Sequence, residues 1–177
     1  RFNETNGWNG TEGEVVDSSG NESPGTALGG LTTSTNLFGL HADFSGVDNW
    51  IEAPSSSNLQ MAGDLTVSFW MKPTTNLTGT LIEKSTNGEF GVCLNTTGLY
   101  FQHGAATSGG NNWSWSAMPS GQWTAGQWVH VAFVRDAASR TVRVYRNGVP
   151  GSLVTYTAGI TYEPIATTNA LRLGMES

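Results

Sequence analysis

The sequence contains little charge, and little of that charge is positive. Asp, Glu, Lys and Arg make up 12% of its 177 residues, against about 25% in an average domain. Eight residues are Lys or Arg and 14 are Asp or Glu, which gives a net charge of −6. Binding to nucleic acid or to an anionic membrane needs clustered cations, and only Arg140, Arg143 and Arg146 share a candidate strand. We therefore expect no nucleic-acid partner and no membrane-surface role.

Long apolar runs and paired cysteines are also missing. No stretch approaches the roughly 18 apolar residues of a membrane helix, so we expect no membrane insertion. Cys93 is the single cysteine and cannot form an internal disulfide. It lies in the apolar run Phe90–Leu94, which indicates a small packing residue rather than a catalytic thiol.

The residues that are present alternate with period two in short runs. Such runs, separated by Gly, Asn, Pro and Ser, predict an all-β sandwich or barrel. The predicted strands are Leu37–Phe44, Asn49–Ala53, Leu65–Lys72, Thr80–Lys84, Glu89–Leu94, Leu99–His103, Trp128–Arg135, Arg140–Arg146 and Ala170–Gly174. Turns are predicted at Asp136–Ser139, Asn87-Gly88 and Asn147-Gly148, since both residues of Asn-Gly tolerate positive φ. No composition shift marks a linker, so we expect one domain over residues 1–177.

Five motifs in order cover nearly the whole chain: Val16–Asn21, Leu40–Ile51, Leu65–Pro73, Gly126–Ala132 and Val144–Gly148. They resemble the motifs of the laminin-G-like domains in the concanavalin A-like lectin/glucanase superfamily. The resemblance implies an antiparallel β-sandwich of the jelly-roll type. A weaker resemblance near the N-terminus is to the laminin-G-like segment of MSHA-pilus-associated surface proteins of marine bacteria.

The resemblance also implies a further strand after Ala170–Gly174 that closes the sandwich. The sequence stops at Ser177, so we expect the jelly roll to lack its last C-terminal strand. Either the chain is cut, or another protein chain supplies the missing edge strand by donor-strand pairing.

Carboxylates in a hydrolytic pattern are not found. Glycosidases need two carboxylates facing each other across the scissile bond, and the family's hydrolases place them at alternate positions of one strand. Glu83 and Glu89 have no carboxylate at i+2, while Glu12 and Glu14 lie in a Gly-rich loop. The three histidines are not spaced as metal ligands. We therefore expect a protein that is not an enzyme. A fragment of a glycosidase is the least favoured of the three functions considered.

The acidic loop Asp17–Asn21 is a candidate metal site. Calcium prefers carboxylate and carbonyl oxygens, and the resemblance implies a structural calcium held by the aspartate of this loop. We expect Asp17 and Asn21 as ligands and Asp48 as a weaker one. The alternative is an Asx turn, in which Asp17 accepts hydrogen bonds from its own backbone.

The segment from His103 to Trp123 is the candidate sugar site. Flat aromatic faces contact pyranose rings, and neighbouring polar groups bond their hydroxyls. The expected ligand residues are Trp113, Trp115, Asn111, Asn112 and His103, on what the surrounding Gly and Ser indicate to be a surface loop. Alternatively, these tryptophans pack against one end of the core. Trp70 and Trp128 lie in the strongest strands, where we expect core packing.

Together these patterns predict a non-catalytic, extracellular or cell-surface module of a larger protein that binds a glycan or surface polysaccharide. The alternative is a structural or protein-interaction domain of a pilus or adhesin assembly without a sugar site. Exposed tryptophan at Asn111–Trp115 would favour the first reading, and a gap at the sheet edge beside Phe2 and Leu171 would favour the second.

Overall fold

The computed structural model describes residues 7–36, 39–74, 78–84, 88–96, 98–104, 113–119, 123–156 and 163–174. Its strands are β1 (Thr26–Leu28), β2 (Thr32–Asn36), β3 (Gly39–Asp43), β4 (Trp50–Ala53), β5 (Leu65–Met71), β6 (Gly79–Lys84), β7 (Phe90–Asn95), β8 (Gly98–His103), β9 (Trp113–Pro119), β10 (Val129–Asp136), β11 (Thr141–Arg146), β12 (Val149–Thr155) and β13 (Leu171–Leu173). A short 3-10 helix, Ser57–Leu59, precedes β5.

The strands form three antiparallel sheets. A seven-stranded sheet has the order β1-β4-β13-β6-β7-β8-β9, and a four-stranded sheet has the order β12-β11-β10-β5. Strands β2 and β3 form a separate hairpin. This arrangement confirms the predicted antiparallel β-sandwich.

The main core lies between the two larger sheets. In β10 the residues Val129, Val131 and Phe133 are buried and alternate with partly exposed neighbours, as the period of a strand requires. Phe133 stacks on Phe101 of β8, with ring centroids 5.5 Å apart. The alternating apolar residues of β10 therefore join one sheet to the other.

A second, smaller core lies at the β1 end of the seven-stranded sheet. Val15, Ala27, Leu31 and Ile51 are buried together there, and Ala42 of β3 packs against them. This core holds the β2-β3 hairpin on the molecule, although the hairpin shares no ladder with either larger sheet.

Four strands were not predicted: β1, β2, β9 and β12. Strand β9 is a correction, because the sequence indicated a surface loop around Trp113 and Trp115. Its Gly- and Asn-rich flanks hide the strand, which is formed by pairing with β8. Strand β12 contains Pro150 and Gly151, which break most strands, but it is an edge strand and its ladder is irregular between Arg143 and Tyr145.

The Asn147-Gly148 turn is confirmed. Both residues have positive φ, 48° and 80°, as the tight turn between β11 and β12 requires. The Asp136–Ser139 turn is also confirmed, and Asp136 Oδ1 accepts a hydrogen bond from the Ser139 N–H at 2.8 Å. Asn87 lies outside the described residues.

Two adjacent glycines provide a matched test of the packing beside β1. Gly29 and Gly30 both have positive φ, 66° and 72°. A Cβ on Gly29 would lie 1.8 Å from the Asp48 carbonyl oxygen, whereas a Cβ on Gly30 would meet nothing within 4 Å. We expect Gly30→Ala to cost about 1 kcal/mol from backbone strain and Gly29→Ala to cost about 1–3 kcal/mol more from overpacking. Urea unfolding of both variants measures this, and equal losses would contradict the packing.

Candidate functional site

His103 lies in the core and not on a surface. Its side chain is 0% exposed, and its ring packs edge-on against Tyr156 at a centroid distance of 4.5 Å. Its Nδ1 lies 3.3 Å from an amino group of Arg135. A side chain this deep has no exposed surface, so its position gives no support to the predicted sugar contact of His103.

Arg135 is the centre of a buried polar cluster next to His103. Its guanidinium donates to the carbonyl oxygens of Glu89 (2.6 Å) and Gly63 (2.9 Å) and to that of Met61. Burial lowers the pKa of Arg135 to about 10, so the group stays protonated at neutral pH. This charge fixes the loop before β5 to the inside of the sandwich.

Glu89 and Lys84 complete the cluster, and both side chains are 0% exposed. The Glu89 carboxylate accepts hydrogen bonds from the Met61 N–H at 2.5 Å and the Thr167 N–H at 2.6 Å. Lys84 Nζ lies 3.7 Å from the same carboxylate and donates to Ser55 Oγ at 2.9 Å. The Glu89 carboxylate and the Lys84 ammonium have their charge and hydrogen-bonding partners inside the fold. These contacts indicate a structural role for Glu89.

The other residues of the predicted sugar site fall only partly within the described structure. Trp113 and Trp115 begin β9, in register with His103 and Phe101 of β8, and only the backbone of this strand is described. Asn111 and Asn112 lie outside the described residues.

An exposed aromatic surface lies instead on the outer face of the four-stranded sheet. Trp70 of β5 is 59% exposed and sits directly opposite His130 of β10, with ring centroids 5.2 Å apart and planes tilted by 56°. Ser68 Oγ lies 2.9 Å from His130 Nε2. We call this surface the Trp70 face, formed by Ser68, Trp70, His130, Tyr145 and Arg143.

The Trp70 face is supported by the Asn147-Gly148 turn between β11 and β12. Asn147 Oδ1 accepts a hydrogen bond from the His130 N–H at 2.9 Å, and the Asn147 N–H donates to the His130 carbonyl at 2.9 Å. Both bonds hold the backbone of His130. The Asn-Gly turn therefore fixes the position of the ring that faces Trp70.

Sequence reasoning missed this surface because it expected Trp70 in the core. The signal was present: Leu65, Val67, Phe69 and Met71 form the apolar side of β5, and Trp70 alternates with them. Since successive strand residues point to opposite faces, Trp70 had to lie outside. The same alternation places Trp128 on the outer side, where it is partly exposed and meets His41 edge-on at 5.3 Å.

Asp17 forms the Asx turn that the sequence left open as an alternative. Its Oδ1 accepts the Ser19 N–H at 2.8 Å and its Oδ2 accepts the Ser23 N–H at 3.0 Å. Hydrogen bonds from the Ser19 hydroxyl, the Ser19 N–H and the Ser23 N–H lower the pKa of Asp17. The carboxylate therefore organises its own loop.

The described residues supply few ligands for calcium. Asp17 and Asn21 line one cleft of about 320 Å³, and Asp48 does not belong to its lining. Within the described ranges, no three His, Cys, Asp or Glu side chains group closely enough to hold a metal ion. Calcium takes six to eight oxygens, and Asp17 offers the one carboxylate in the described lining of this cleft, so a calcium site at Asp17, Asn21 and Asp48 stays a prediction.

Acid should weaken this loop. Because the folded pKa of Asp17 lies below the ordinary 3.8 of an aspartate, its contribution is complete above that pH and is lost as the pH falls through the lowered value. We expect Asp17→Ala to lower the melting temperature at pH 7 and to converge with wild type in strong acid. Ser18→Ala, in the same loop, is the control and should stay close to wild type at both pH values. A constant gap between wild type and Asp17→Ala at all pH values would contradict the prediction.

Two carboxylates share the outer face of the seven-stranded sheet, with an arginine between them. Arg172 of β13 is in register with Glu52 of β4 and with Glu83 of β6. The backbones of Glu52 and Glu83 are two strand spacings, or about 9.5 Å, apart. Arg172 Nε donates to Glu52 at 2.7 Å. Burial raises the pKa of Glu83, and the Arg172 charge opposes that rise. The Arg172 guanidinium is thus paired with Glu52 and lies in register between the two carboxylates.

The remaining candidate groups have structural surroundings. Glu14 accepts hydrogen bonds from the backbone N–H groups of Asn9 and Gly10, each at 2.8 Å. Cys93 is half-buried with its Sγ 3.8 Å from Thr80 Oγ1, and burial raises the pKa of its thiol. A raised pKa disfavours the reactive thiolate, which agrees with the prediction of a packing residue.

The fold and its open aromatic face define a lectin-like β-sandwich. Residues 44–177 match the laminin G type 3 family profile of the concanavalin A-like lectin/glucanases superfamily. The chain belongs to this family. Among curated proteins, none matches the sequence.

Solved structures with the same fold include several binding domains. The binding domain of Paraclostridial Mosquitocidal Protein 1 is 14% identical, with a TM-score of 0.72 over 91% of this chain and 41% of that one. Domain 4 of AbnA, a GH43 extracellular arabinanase from Geobacillus stearothermophilus in complex with arabinotriose, is 23% identical, with a TM-score of 0.63 over 92% and 78%.

A third likeness is to botulinum neurotoxin type C, in a structure that reports interaction with two ganglioside molecules. It is 15% identical, with a TM-score of 0.69 over 94% of this chain and 41% of that one. The chain thus spans about two fifths of the toxin chains it resembles. At these identities the likeness establishes the fold. No helix among the described residues is long and apolar enough to cross a membrane.

Proposed function

We propose that this chain is a non-catalytic, extracellular carbohydrate-binding module of a larger protein, and that the Trp70 face contacts the sugar. The observation that carries the proposal is the 59% exposure of the Trp70 side chain beside His130 and Ser68. An indole on a rigid sheet offers an apolar surface to a pyranose ring, and the neighbouring groups bond its hydroxyls. Arabinotriose and gangliosides in the structural neighbours support a sugar as the ligand.

Among the described residues of the seven-stranded sheet no open carboxylate pair is found, which supports binding over catalysis. The described carboxylates of the seven-stranded sheet are separated by Arg172, and Glu89 is buried in the core. The predicted ligand residues Trp113, Trp115, Asn111 and Asn112 remain part of this proposal as a second contact surface. Calcium bound at Asp17, Asn21 and Asp48 also remains a prediction.

Removing Trp70 should abolish most of the binding without unfolding the protein. We expect Trp70→Ala to weaken binding to a responsive polysaccharide at least about tenfold, as for an aromatic anchor, with a melting temperature close to wild type because the side chain is exposed. A glycan array followed by calorimetry on the responding polysaccharide measures both, with and without EGTA.

Two further variants locate the site. Val149→Ala removes another exposed apolar side chain, 64% exposed on β12, and should bind like wild type. Trp113→Ala/Trp115→Ala tests the second surface. If this double variant loses binding while Trp70→Ala retains it, the site belongs to β9 and not to the Trp70 face.

A second candidate function is protein docking, and the edge of β5 favours it. Strand β5 ends the order of the four-stranded sheet, and among the described strands only β10 pairs with it. Its core-facing residues Phe69 and Met71 are only partly buried. We propose as occupant an extended strand from another protein chain, which would bond to this edge.

Amide hydrogen exchange of the dilute chain tests the open edge. We expect the amides of Leu65–Met71 that do not bond to β10 to exchange fast, while those bonded to β10 stay protected. The amides of β10, which has partners on both sides, provide the internal control and should be protected throughout. Protection of every β5 amide in the dilute chain would show that the edge is already covered and would overturn the docking proposal.

A further inference from the structure

Positive charge is scarce in this protein, with eight Lys and Arg residues, and four of these are engaged within the fold. Lys84 and Arg135 are buried in the polar cluster. Arg140 pairs with Glu163 at 2.6 Å, and Arg172 pairs with Glu52 at 2.7 Å. These four cations cannot serve a ligand without losing their partners.

Two other cations are Arg143, which belongs to the Trp70 face, and Lys72, which borders it. Lys72 follows β5 two residues beyond Trp70 and is exposed. Arg143 of β11 is aligned through Val134 with the outer position Thr66 of β5. Neither Lys72 nor Arg143 forms an ion pair with a residue in the described part of the chain.

The carboxylates at the border of this face are already bonded. Asp43 lies 3.3 Å from His41 Nε2 and also accepts a bond from Ser34. Asp136, at the far end of β10, accepts the Ser139 N–H. Between these limits, the outer positions of β5, β10 and β11 from Thr66 to Tyr145 contain no Asp or Glu among the described residues.

Taking these positions together, we propose that the Trp70 face binds an acidic glycan, one that carries carboxylate or sulfate groups along its chain. This inference rests on the proposed sugar-binding function and adds the chemical class of its ligand. Trp70 contacts a sugar ring, Lys72 reaches an anionic group on one side of it, and Arg143 reaches a second anionic group further along the face. Arg143 lies four residues along the strands and two strands across from the position of Trp70. The backbones of the two residues are therefore about 17 Å apart.

The net charge of −6 does not oppose this arrangement. Salt screens charges beyond about 8–10 Å at physiological ionic strength, so distant carboxylates act weakly on a bound anion. Duplex nucleic acid and anionic membranes need many cations at once, whereas a glycan anion beside Trp70 needs one cation at close range. The same sequence can therefore exclude the first two partners and accept the third.

Matched polysaccharide pairs that differ only in charge test the inference. The probes are κ-carrageenan against its desulfated form, and polygalacturonate against its carboxyl-reduced form, each titrated into the folded chain at fixed salt. We expect one charged member to bind about three- to thirtyfold tighter than its neutral partner, as two exposed ion pairs allow. Lys72→Gln/Arg143→Gln should abolish this preference and keep binding to the neutral form.

The control variant removes the same charge elsewhere. Arg140→Gln/Arg146→Gln lowers the net charge equally and should keep the preference, and the melting temperatures of both double variants confirm folding. Equal affinity for the charged and neutral members of every pair would overturn the proposal of an acidic glycan. The proposed sugar-binding function would still hold. Loss of preference in both double variants overturns the site, because only overall charge then matters. No binding to any probe by wild type, including the neutral forms, overturns the proposed function itself.

Discussion

A buried carboxylate, Glu89, holds the two layers and their irregular segments in one arrangement. It receives hydrogen bonds from Met61, before β5, and from Thr167, before β13. Lys84 and Arg135 surround it with positive charge and bond the same segments through their carbonyl oxygens. Breaking one partner of such a buried set leaves an uncompensated charge, which costs about 3–5 kcal/mol. The start of β5 and the start of β13 are thereby fixed by hydrogen bonds to buried charged groups, in addition to the packing of Met61, Leu65 and Leu171 against the main core.

The Trp70 face depends on the fixed position of the start of β5. Strand β5 is held at one end by the loop that Arg135 binds and along its length by β10, residue against residue from Leu65 to Met71. A slip of one residue would turn Trp70 into the core and expose Phe69. Asn147 then fixes His130 from the other side. The buried ionic cluster therefore helps to fix the position of the exposed Trp70–His130 pair, because both act on strand β5 and its partner β10.

Strand positions in the core and the tight turns could be predicted from the sequence, because alternation and Asn-Gly chemistry are local properties. The edge strands β9 and β12 could not, since they are defined by their neighbours and are flanked by or contain residues that break strands elsewhere. His103 was misplaced for a related reason. It ends a predicted strand and reads as polar, but tertiary contacts with Arg135 and Tyr156 bury it. Trp70 was misplaced although its alternation was visible, because a place in a strong strand does not determine which face of the sheet a side chain occupies.

The flatness of the Trp70 face has a consequence for how strongly it can hold a polymer. An open sheet surface encloses little of a ligand, but its strand residues are ordered beforehand and lose little freedom on binding. A single stretch of polysaccharide would therefore exchange quickly between bound and free states. A polysaccharide repeats its units, so a neighbouring stretch is present at high local concentration whenever one leaves. Residence on a long polymer then reflects the number of repeats within reach more than the affinity of any one contact.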